Sequence, residues 1–472
     1  MIKTTSPSIK EKLFIISFFL IPNTYFLLLS LYFDLARPLL NTDYLVSSLF
    51  LISPWRTLKK VGALLLILAA AIDSLMLIIQ VFPFINISSI IYFTPFILSA
   101  PIKYIVYISL GSIMAFSLIT IDLKLSKKIE QHTLINVFLA IIALIITFPF
   151  QYLGIKYKET GGILARGNYY IANSQAKLYN SLSSDKFNIS MNTAPQLIKN
   201  TQKSAQSYLA KDKNNKIIYI LAESWGALRN PQAQTDIIKK ITEQKNNLDF
   251  IHHGSFTAYG ATISGELREL CNLEIANSGF SMQKAEDFNL KNCLPNQLLK
   301  KDYKTLAVHG ASGLIYDRNN WYSRAGFSEI IFAENIINSK RCTAFKGVCD
   351  FEIINIISNK AKQYEKNSFL FYWLTLTAHQ PYAIKDIINH RFQCTKYDMN
   401  EHGDACLNSK LNTQLMDNIA DLIKKPHMKG IEFIIVGDHE PPMWGGENNH
   451  IIPLTVSYLH FKTKDNTDNR VE

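Results

Sequence analysis

An aspartate and a histidine stand side by side just after an apolar run near the end of the chain. The run is Phe433–Val436, and Asp438 and His439 follow it after one glycine. A second apolar run, Ile217–Ala222, also ends at a carboxylate, Glu223. In open α/β sheets ligands bind beyond the carboxyl ends of the strands, so these side chains can meet there. Two carboxylates and an imidazole are suited to hold one divalent cation.

Other residues that could do chemistry stand in short motifs at the ends of apolar runs or in the segments after them. The motifs are Glu223–Gly226, Gly260–Glu266, His309–Gly310 continuing to Tyr316–Tyr322, Leu374–Tyr382, and Gly437–Glu440 followed by Asn448–His450. Each motif is weak alone: Thr262 is typical of a turn or a helix N-cap, and Glu223 of a solvated strand end. Their meaning therefore depends on the elements that position them.

The region that carries these motifs alternates apolar strands with amphipathic stretches. The predicted strands are Ile217–Ala222, Thr305–Val308, Ile330–Phe332, Phe369–Thr375, Glu432–Val436 and Leu454–Tyr458. The predicted helices are Gln232–Gln244, Leu294–Lys301, Phe351–Glu365 and Leu407–Lys424. This alternation predicts an α/β domain with a mostly parallel central sheet and helices on both faces.

The first third of the chain has a different composition. The chain is 48% hydrophobic, and the long apolar runs with few charges are concentrated here. We predict a helical bundle of about five membrane spans. The candidate spans are Leu13–Phe33, Pro38–Trp55, Val61–Phe82, Ile85–Asp122 and Leu134–Tyr152. The chain then divides into a transmembrane domain (1–153), a juxtamembrane connector (154–215), with helical candidates Gln175–Leu182 and Gln196–Leu209, and a globular domain (216–472).

Basic residues predict the direction of insertion. The lysines before the first span, the turn 56–60 and the segment Lys124–Lys128 all favour the cytoplasmic side. All three basic segments lie on the cytoplasmic side when Ile85–Asp122 crosses the membrane once. The globular domain then lies outside. Two crossings would place that domain in the cytosol, so the number of crossings of this segment stays open in the sequence.

The cysteines give independent information on the compartment. All six lie in the globular domain, and their even number and local spacing predict disulfides in an oxidising environment. The sequential pairing is Cys271–Cys293, Cys342–Cys349 and Cys394–Cys406. Six cysteines allow about fifteen connectivities, and reduced thiols in a cytosolic domain are the alternative. The sequence has no CxxC spacing, so zinc binding by thiolates is not indicated.

The net charge of +11 does not indicate nucleic-acid binding. The sequence has no arginine-rich run and no basic motif interleaved with aromatic residues. A basic protein is expected at the anionic surface of a bacterial-type membrane, so we predict a membrane-embedded protein without a nucleic-acid partner.

The order and character of the motifs resemble the alkaline phosphatase/sulfatase superfamily. The resemblance covers essentially the whole chain and is closest to the membrane-anchored lipoteichoic acid synthases and phosphoethanolamine transferases. It implies a sulfatase-like domain outside the bacterial cytoplasmic membrane. It also implies that Glu223, Thr262, Asp438 and His439 hold one divalent metal, Zn²⁺ or Mn²⁺, and that Thr262 is the nucleophile. A cation lowers the pKa of a coordinated hydroxyl, as a threonine requires at neutral pH.

The same resemblance implies residues that handle the substrate. Arg318 resembles the phosphate-binding arginine of the family, and Tyr316 stands where lipoteichoic acid synthases have a tryptophan. His309 and His379 resemble active-site histidines, and His379 is expected to protonate the departing glycerol oxygen. His450 is expected to approach the site from the loop after the metal pair.

Two departures from the family pattern narrow the function. The stretch Thr262–Glu266 lacks the C/S-x-P-x-R context of true sulfatases, which argues against sulfate ester hydrolysis. Glu266 is nearer to the phosphoglycerol branch, whereas the cysteines are nearer to the phosphoethanolamine branch. We predict a transferase that moves either head group from a phospholipid to a cell-surface glycan or lipid through a phosphothreonine intermediate. The alternatives are a phosphodiesterase of the same superfamily and a catalytically silent membrane scaffold.

Overall fold

The computed structural model describes residues 9–32, 40–81, 92–99, 102–129, 171–172, 194–209, 216–277, 279–443 and 446–465. The chain divides into two compact units. The first comprises Met1–Ile85 with Tyr104–Ile189, and the second comprises Asn86–Lys103 with Ser190–Glu472.

The first unit is mainly helical in its described residues. Its elements are the helices Ile9–Tyr32, Thr42–Leu51, Arg56–Val81 and most of Ile102–Ile129, and the short strands Leu40–Asn41 and Ile171–Ala172. Phe18, Phe26 and Leu66 belong to its apolar core. Within the described part of the chain, one helical stretch, Ile105–Lys127, is long and apolar enough to cross a membrane, with mean hydropathy 1.8.

The bundle of about five spans therefore stays a prediction. Leu134–Tyr152 lies outside the described residues. Pro38–Trp55 contains the helix Thr42–Leu51, whose 10 residues are too short to cross a bilayer. Ile85–Asp122 contains the 3₁₀ helix Thr94–Ser99 and most of one long helix.

The second unit is built on an eight-stranded sheet. Its strands are β1 (Lys216–Ala222), β2 (Gly226–Leu228), β3 (Leu248–Thr257), β4 (Lys304–His309), β5 (Glu329–Ile331), β6 (Phe369–Leu374), β7 (Ile431–Gly437) and β8 (Ile451–Thr463). Their order is β2-β8-β7-β1-β6-β4-β5, and β3 pairs with β8. The central strands β1, β6 and β7 are buried almost throughout, which explains why each is a continuous apolar run in the sequence.

The prediction of a mostly parallel sheet is wrong, because the sheet is mixed. The strands β7, β1, β6, β4 and β5 run parallel to one another. By contrast, β8 is antiparallel to β7, β2 and β3. The strand β3 is absent from the sequence prediction because exposed His252, His253 and Gly254 interrupt its apolar pattern.

Helices of the second unit pack around this sheet. They are Pro231–Ile237, Lys239–Thr242, α1 (Thr262–Cys271), Asp287–Leu290, Leu294–Leu299, α2 (Arg318–Arg324), α3 (Asp350–Gln363) and α4 (Asp404–Leu422). The predicted helical regions are present with shifted ends, whereas α1 and α2 are not among the predictions. The helices α3 and α4 pack together and bury apolar side chains such as Ile357 and Leu415 in the core.

Three disulfides, Cys271–Cys293, Cys342–Cys349 and Cys394–Cys406, confirm the sequential pairing. The predicted helix Gln196–Leu209 is wrong. That stretch instead forms the strand Leu197–Lys199, paired with Leu273–Ile275, and the 3₁₀ helix Ala205–Tyr208. A tertiary strand partner overrides the weak helical pattern here. Gln175–Leu182 lies outside the described residues.

Candidate active site

Two neighbouring parallel strands bring Glu223 and Asp438 together. The strands β1 and β7 pair with Gly437 opposite Ala222, so the residues after each strand leave the sheet side by side. The Asp438 N–H donates to the Ala222 carbonyl at 3.2 Å. Ser224, with φ of 54°, turns the chain away after Glu223. Both carboxylates therefore lie at the carboxyl edge of the sheet.

The side chains of Glu223, Asp438 and His439 converge, with one ligand atom from each lying within 4.8 Å of the others. His439 Nε2 lies 3.3 Å from Asp438 Oδ2 and 3.6 Å from Glu223 Oε1. Thr262 Oγ1 lies 3.5 Å from the same nitrogen. The structure thus brings together the four residues that the family resemblance assigns to a metal site, and all four are buried.

Hydrogen bonds orient this cluster, and Glu223 Oε1 accepts from the Ser224 hydroxyl at 2.9 Å. Asp438 Oδ1 accepts from the backbone N–H groups of Ser224 (2.8 Å) and His439 (2.7 Å). Asp438 Oδ2 is buried and accepts no hydrogen bond from the described residues. His439 Nδ1 donates to the Glu440 carbonyl at 2.8 Å, which leaves Nε2 as the nitrogen able to coordinate.

Two buried carboxylates at this separation are unfavourable without a positive charge between them. Burial and the neighbouring Asp438 carboxylate raise the pKa of Glu223 well above its usual range. Carboxylate, hydroxyl and imidazole groups together suit Zn²⁺ or Mn²⁺. The donor set, with the unpaired Asp438 Oδ2, therefore fits one divalent cation.

Thr262 is the first residue of α1, and Ala261 occupies the N-cap position before it. The helix can approach the end of β7 because residue 265 is a glycine. A Cβ at Gly265 would lie 2.8 Å from the Asp438 carbonyl oxygen and 2.9 Å from its Cα. Gly260, with φ of 112°, allows the turn that precedes the helix. Both glycines thus place the Thr262 hydroxyl beside the cluster.

Arg318 begins α2 and is held by Glu266 of α1. Its Nε and Nη2 donate to the Glu266 carboxylate, the shortest contact being 2.8 Å, and Nη1 donates to the Ile315 carbonyl at 3.3 Å. The hydroxyls of Tyr322 and Tyr372 also donate to Glu266. Burial alone would lower the pKa of Arg318, but the Glu266 charge outweighs burial and raises it. The guanidinium is therefore always charged.

Tyr316 lies beside Arg318, with 5.1 Å between its ring centroid and the guanidinium carbon. Tyr316 and Asp317 have φ of 57° and 52°. Two successive left-handed residues cost about 1–2 kcal/mol each, so this turn is strained and directs the ring. Burial raises the pKa of Tyr316, so its hydroxyl stays protonated at neutral pH.

His309 ends β4, and His379 lies in the loop after β6. Nδ1 of His309 donates to the Leu374 carbonyl (3.0 Å), and Nδ1 of His379 donates to the Gln380 carbonyl (2.5 Å). Burial, followed by the charge of Arg318, lowers the pKa of His309 well below its usual range. Burial lowers the pKa of His379 to about 4. Both rings are therefore neutral, with Nε2 as a proton acceptor.

His379 and His450 differ in their relation to the cluster of Glu223, Asp438 and His439. His379 interacts electrostatically with Asp438 and His439, which puts it beside the cluster. His450 offers its backbone carbonyl to the Arg229 N–H, and its side chain makes no hydrogen bond or ion pair with the cluster in the described part of the chain. The structure does not join His450 to the site, and its role stays a prediction.

A second buried charged group lies next to the site and is absent from the sequence predictions. Arg268 of α1 donates to the carbonyls of Gly437 (2.8 Å) and Asp438 (3.1 Å) and pairs with Glu269 (2.6 Å). Tyr219 also donates to Glu269 at 2.6 Å. This network fixes the backbone that presents Asp438. Its signal in the sequence is an adjacent Arg-Glu pair between apolar residues, in a helix that the sequence analysis did not predict.

Comparison with known proteins gives structural matches and a family match. Similar solved structures include an alkaline phosphatase superfamily protein from Vibrio parahaemolyticus (15% identity, TM-score 0.42, covering 59% of this chain and 67% of that chain). Others are the lipoteichoic acid synthase LtaP from Listeria monocytogenes (14%, 0.40, 59% and 72%) and the zinc-bound periplasmic domain of EptC from Escherichia coli (15%, 0.37, 56% and 76%). No curated protein matches the chain. The Sulfatase family profile matches residues 215–460, more than half of the 472 residues, so the chain belongs to the Sulfatase family.

Proposed function

We propose that the chain is a metal-dependent phosphotransferase of the alkaline phosphatase/sulfatase superfamily. Membership of the Sulfatase family supports an enzyme of phosphoryl transfer or ester hydrolysis. The observation that carries the proposal is the buried set of Glu223, Asp438 and His439, with an unpaired carboxylate oxygen, beside the Thr262 hydroxyl. A silent scaffold would gain nothing from buried carboxylates that repel each other.

Glu223, Asp438 and His439 would hold one divalent cation, Zn²⁺ or Mn²⁺, with Thr262 next to them. When bound, the cation offsets the two carboxylates and lowers the pKa of a neighbouring hydroxyl. The backbone N–H groups on Asp438 Oδ1 and the carbonyl on His439 Nδ1 keep these ligands oriented.

Thr262 supplies the nucleophile. Its Oγ1 forms a bond to phosphorus as the bond from phosphorus to the diacylglycerol oxygen breaks, and that oxygen takes up the proton that Thr262 loses. A hydroxyl of the acceptor then bonds to phosphorus, and Thr262 leaves with the proton that the acceptor gives up. His379 Nε2, neutral at pH 7, suits the transfer of the proton in both halves.

Arg318 binds the head-group phosphate. Glu266 fixes the plane of the guanidinium, and the remaining N–H groups on Nη1 and Nη2 are available to phosphate oxygens. The Tyr316 ring packs against the guanidinium. The charge of Arg318 contributes to the lowered pKa of His309, which places the His309 ring near the guanidinium.

The donor is a phospholipid that carries phosphoglycerol or phosphoethanolamine, and the acceptor is a cell-surface glycan or lipid. The order of the motifs, the apolar helix Ile105–Lys127 and the three disulfides support this location and substrate class. We place the domain 216–472 outside the bacterial cytoplasmic membrane, after the transmembrane domain 1–153 and the connector 154–215. Confinement to the plane of the donor raises its effective concentration.

The test uses the full-length protein, reconstituted in vesicles of phosphatidylglycerol and phosphatidylethanolamine with labelled head groups. Label that moves to an added glycan or lipid acceptor supports the transferase. Label released to water without transfer supports the phosphodiesterase, and no reaction with any divalent cation contradicts both.

Mass spectrometry of the intact protein after incubation with donor alone supplies the second measurement. We expect a mass gain of one phosphorylated head group on Thr262. The variant Thr262→Ala should show no gain and no turnover, whereas Thr262→Ser keeps a hydroxyl and should retain both. A mass gain that persists in Thr262→Ala would place the nucleophile elsewhere.

A further inference from the structure

A short disulfide loop contacts the segments that carry the two proposed active-site histidines. The bond between its end cysteines closes residues 342–349 into this loop. The Val348 N–H donates to the carbonyl of Gly310, the residue after β4, at 2.7 Å. The Phe345 ring lies edge-on to the His379 ring, with 4.7 Å between the ring centroids. The disulfide loop therefore touches the end of β4 on one side and the loop after β6 on the other.

The disulfide loop is held in a conformation that its own residues do not favour. Phe345 and Lys346 have φ of 50° and 51°, in the left-handed region that residues other than glycine rarely adopt. A Cβ at Gly347 would lie 2.3 Å from Leu376 Cδ2 and 2.4 Å from the Gly310 carbonyl oxygen. Glycine permits this close approach to the segment after β6. Such strain persists where the surrounding structure fixes the backbone, and it is common at functional sites.

Asp350 follows the disulfide loop and holds the turn that leads to His379. Its carboxylate accepts from the backbone N–H groups of Leu376 at 2.9 Å and Thr377 at 2.8 Å. Its own N–H donates to the Thr377 hydroxyl at 3.0 Å, so the two segments are bonded reciprocally. The His379 N–H donates to the Leu376 carbonyl at 2.9 Å, which closes the turn. Asp350 therefore fixes the first two residues of this turn.

The contacts of Asp350 differ from those of an ordinary residue at a helix start. Asp350 is the first residue of α3, where a negative charge is favourable in any case. Here, however, the carboxylate accepts from a different segment. Burial raises the pKa of Asp350 to about 6, and the hydrogen bonds from Thr377 and Leu376 oppose the rise. The carboxylate is therefore ionised at neutral pH and can accept both N–H groups.

The other end of the same segment is bonded to a proposed metal ligand. The Thr375 hydroxyl accepts from the Glu223 N–H at 2.8 Å. The segment 375–379 is thus held near its start by the backbone of Glu223 and in its middle by Asp350. These two attachments fix the position of His379 relative to the metal ligands.

We propose that Asp350 and Phe345 are positioning residues for His379. Asp350 fixes the turn, Phe345 restrains the imidazole ring, and the disulfide loop keeps both in place. This inference rests on the proposed function, in which His379 passes a proton to the departing diacylglycerol oxygen. Proton transfer requires the imidazole within hydrogen-bond reach of that oxygen. A small displacement of the ring therefore slows this step and leaves binding of the donor largely unchanged.

The test compares Asp350→Asn with Asp417→Asn in the full-length protein, with two substrates. Asp417 is also buried but pairs with Arg391, so it is the matched control. A diacylglycerol alkoxide needs a proton to depart, whereas 4-nitrophenolate leaves bis(4-nitrophenyl) phosphate without one. With donor lipid in vesicles, we expect Asp350→Asn to lower kcat about 10–100-fold and to keep KM within about twofold. Release of 4-nitrophenolate should stay within about threefold. Asp417→Asn should keep the wild-type ratio of the two activities.

Two further variants show whether Asp350 acts through His379. His379→Gln should lose lipid turnover selectively, and adding Asp350→Asn to it should change kcat by no more than about twofold, because both act on one step. Phe345→Ala removes a partly exposed ring and leaves the buried carboxylate in place. It should lower lipid kcat about threefold or more with the same selectivity, and it carries the test if Asp350→Asn does not fold.

Three results overturn the proposal. Equal losses with lipid and aryl diester would mean that these residues support the site as a whole. Losses that multiply in the double variant would mean that Asp350 acts independently of His379, and unchanged lipid turnover would mean that neither residue positions it.

A measurement without turnover separates this inference from the proposed function. If the wild type turns over no donor, the proposed function fails, and hydrogen–deuterium exchange of the full chain in detergent alone decides the inference. Asp350→Asn should speed exchange of the amides in 376–379 at least about tenfold, whereas Asp417→Asn should leave them at the wild-type rate. Equal exchange in the two variants would show that Asp350 does not hold the turn.

Discussion

Two buried charged clusters lie at the end of β7, and their charges are balanced in different ways. In the ligand cluster of Glu223, Asp438 and His439, acceptor atoms face one another and Asp438 Oδ2 has no hydrogen bond from the described residues. In the support cluster of Arg268 and Glu269, the two charges neutralise each other at 2.6 Å.

The support cluster is also satisfied by its surroundings. Glu269 accepts from the Tyr219 hydroxyl, the Ser204 hydroxyl and the Ala205 N–H, while Arg268 donates to two backbone carbonyls. Burial of charge is thus common to both clusters and does not by itself mark a functional site. A balanced cluster stabilises the fold, whereas an unbalanced one costs stability that a bound cation or a proton on Glu223 can offset.

The largest effect expected from this comparison is that of Asp438→Asn. Activity should fall at least about a thousandfold, because a ligand and its charge are lost. The metal-stripped protein should nevertheless unfold at a higher temperature than the metal-stripped wild type. The substitution removes repulsion with Glu223, and the amide oxygen can still accept from the N–H groups of Ser224 and His439.

The measurement is thermal unfolding of the chelator-treated full chain, followed by turnover after Zn²⁺ or Mn²⁺ is restored. Added cation should raise the unfolding temperature of the wild type and leave Asp438→Asn nearly unchanged. A loss of stability in the metal-stripped variant would show that the Asp438 charge is balanced within the protein, and the distinction between the two clusters would fail.

Arg268→Met is expected to act in the opposite way. It leaves the Glu269 carboxylate buried without its cation, so the free energy of unfolding should fall by about 3–5 kcal/mol. The double variant Arg268→Met/Glu269→Gln removes the stranded charge and should recover part of that loss. Denaturant unfolding of the full chain in detergent measures both variants. Equal stability of the single and double variants would mean that Glu269 does not need Arg268.

The sequence predicts the ligand cluster far better than the support cluster. Glu223, Asp438 and His439 each follow an apolar run that reads as a buried strand, and parallel neighbours bring their ends together without further information. Arg268 and Glu269 lie inside a helix, and their pairing with the end of β7 depends on how α1 packs. That packing is a tertiary property with no local pattern to predict it.

The same reason explains the other differences. Glu266 and Arg318 are 52 residues apart, and they meet because tertiary packing brings α1 and α2 together beside Tyr372 of β6. The antiparallel strand β3 depends on its pairing with β8 rather than on its own exposed residues. The central strands of the sheet were predictable because a strand that is buried on both faces has a continuous apolar sequence.

Glu266→Gln should have an intermediate effect, because Glu266 combines features of both clusters. It is neutralised by Arg318, yet Arg318 is the group that we propose binds phosphate. Without the carboxylate the guanidinium loses its fixed plane, and kcat/KM for the lipid donor should fall about 10–100-fold. Steady-state kinetics measures this loss.

Tyr322→Phe removes one donor to the same carboxylate and is the milder control. Similar losses in both variants would show that the whole hydrogen-bond network, rather than the charge of Glu266, positions Arg318.

The smallest expected effect is the contribution of His379 to the pH dependence of stability. This side chain is partly buried and neutral, so it belongs to neither charged cluster. Burial lowers the pKa of His379 to about 4, whereas histidine in an unfolded chain has a pKa of about 6.5. Between these values the unfolded chain binds a proton that the folded chain does not bind. The contribution of His379 to the free energy of unfolding is therefore complete above about pH 6.5 and is lost as the pH falls toward about 4.

His379→Gln should flatten this part of the pH dependence, while His402→Gln, which replaces an exposed imidazole, should keep the wild-type slope. Thermal unfolding of the full chain from pH 7 to pH 4 measures all three proteins. Turnover of the wild type should also fall as the pH falls over this range, because protonation removes the acceptor at Nε2 that both halves of the proposed reaction use. If His379→Gln keeps the wild-type slope, the folded protein carries a proton on His379 at the same pH as the unfolded chain. The ring would then be ionised in moderately acidic solution, and it could not serve there as the acceptor that passes the proton from Thr262 to the departing oxygen.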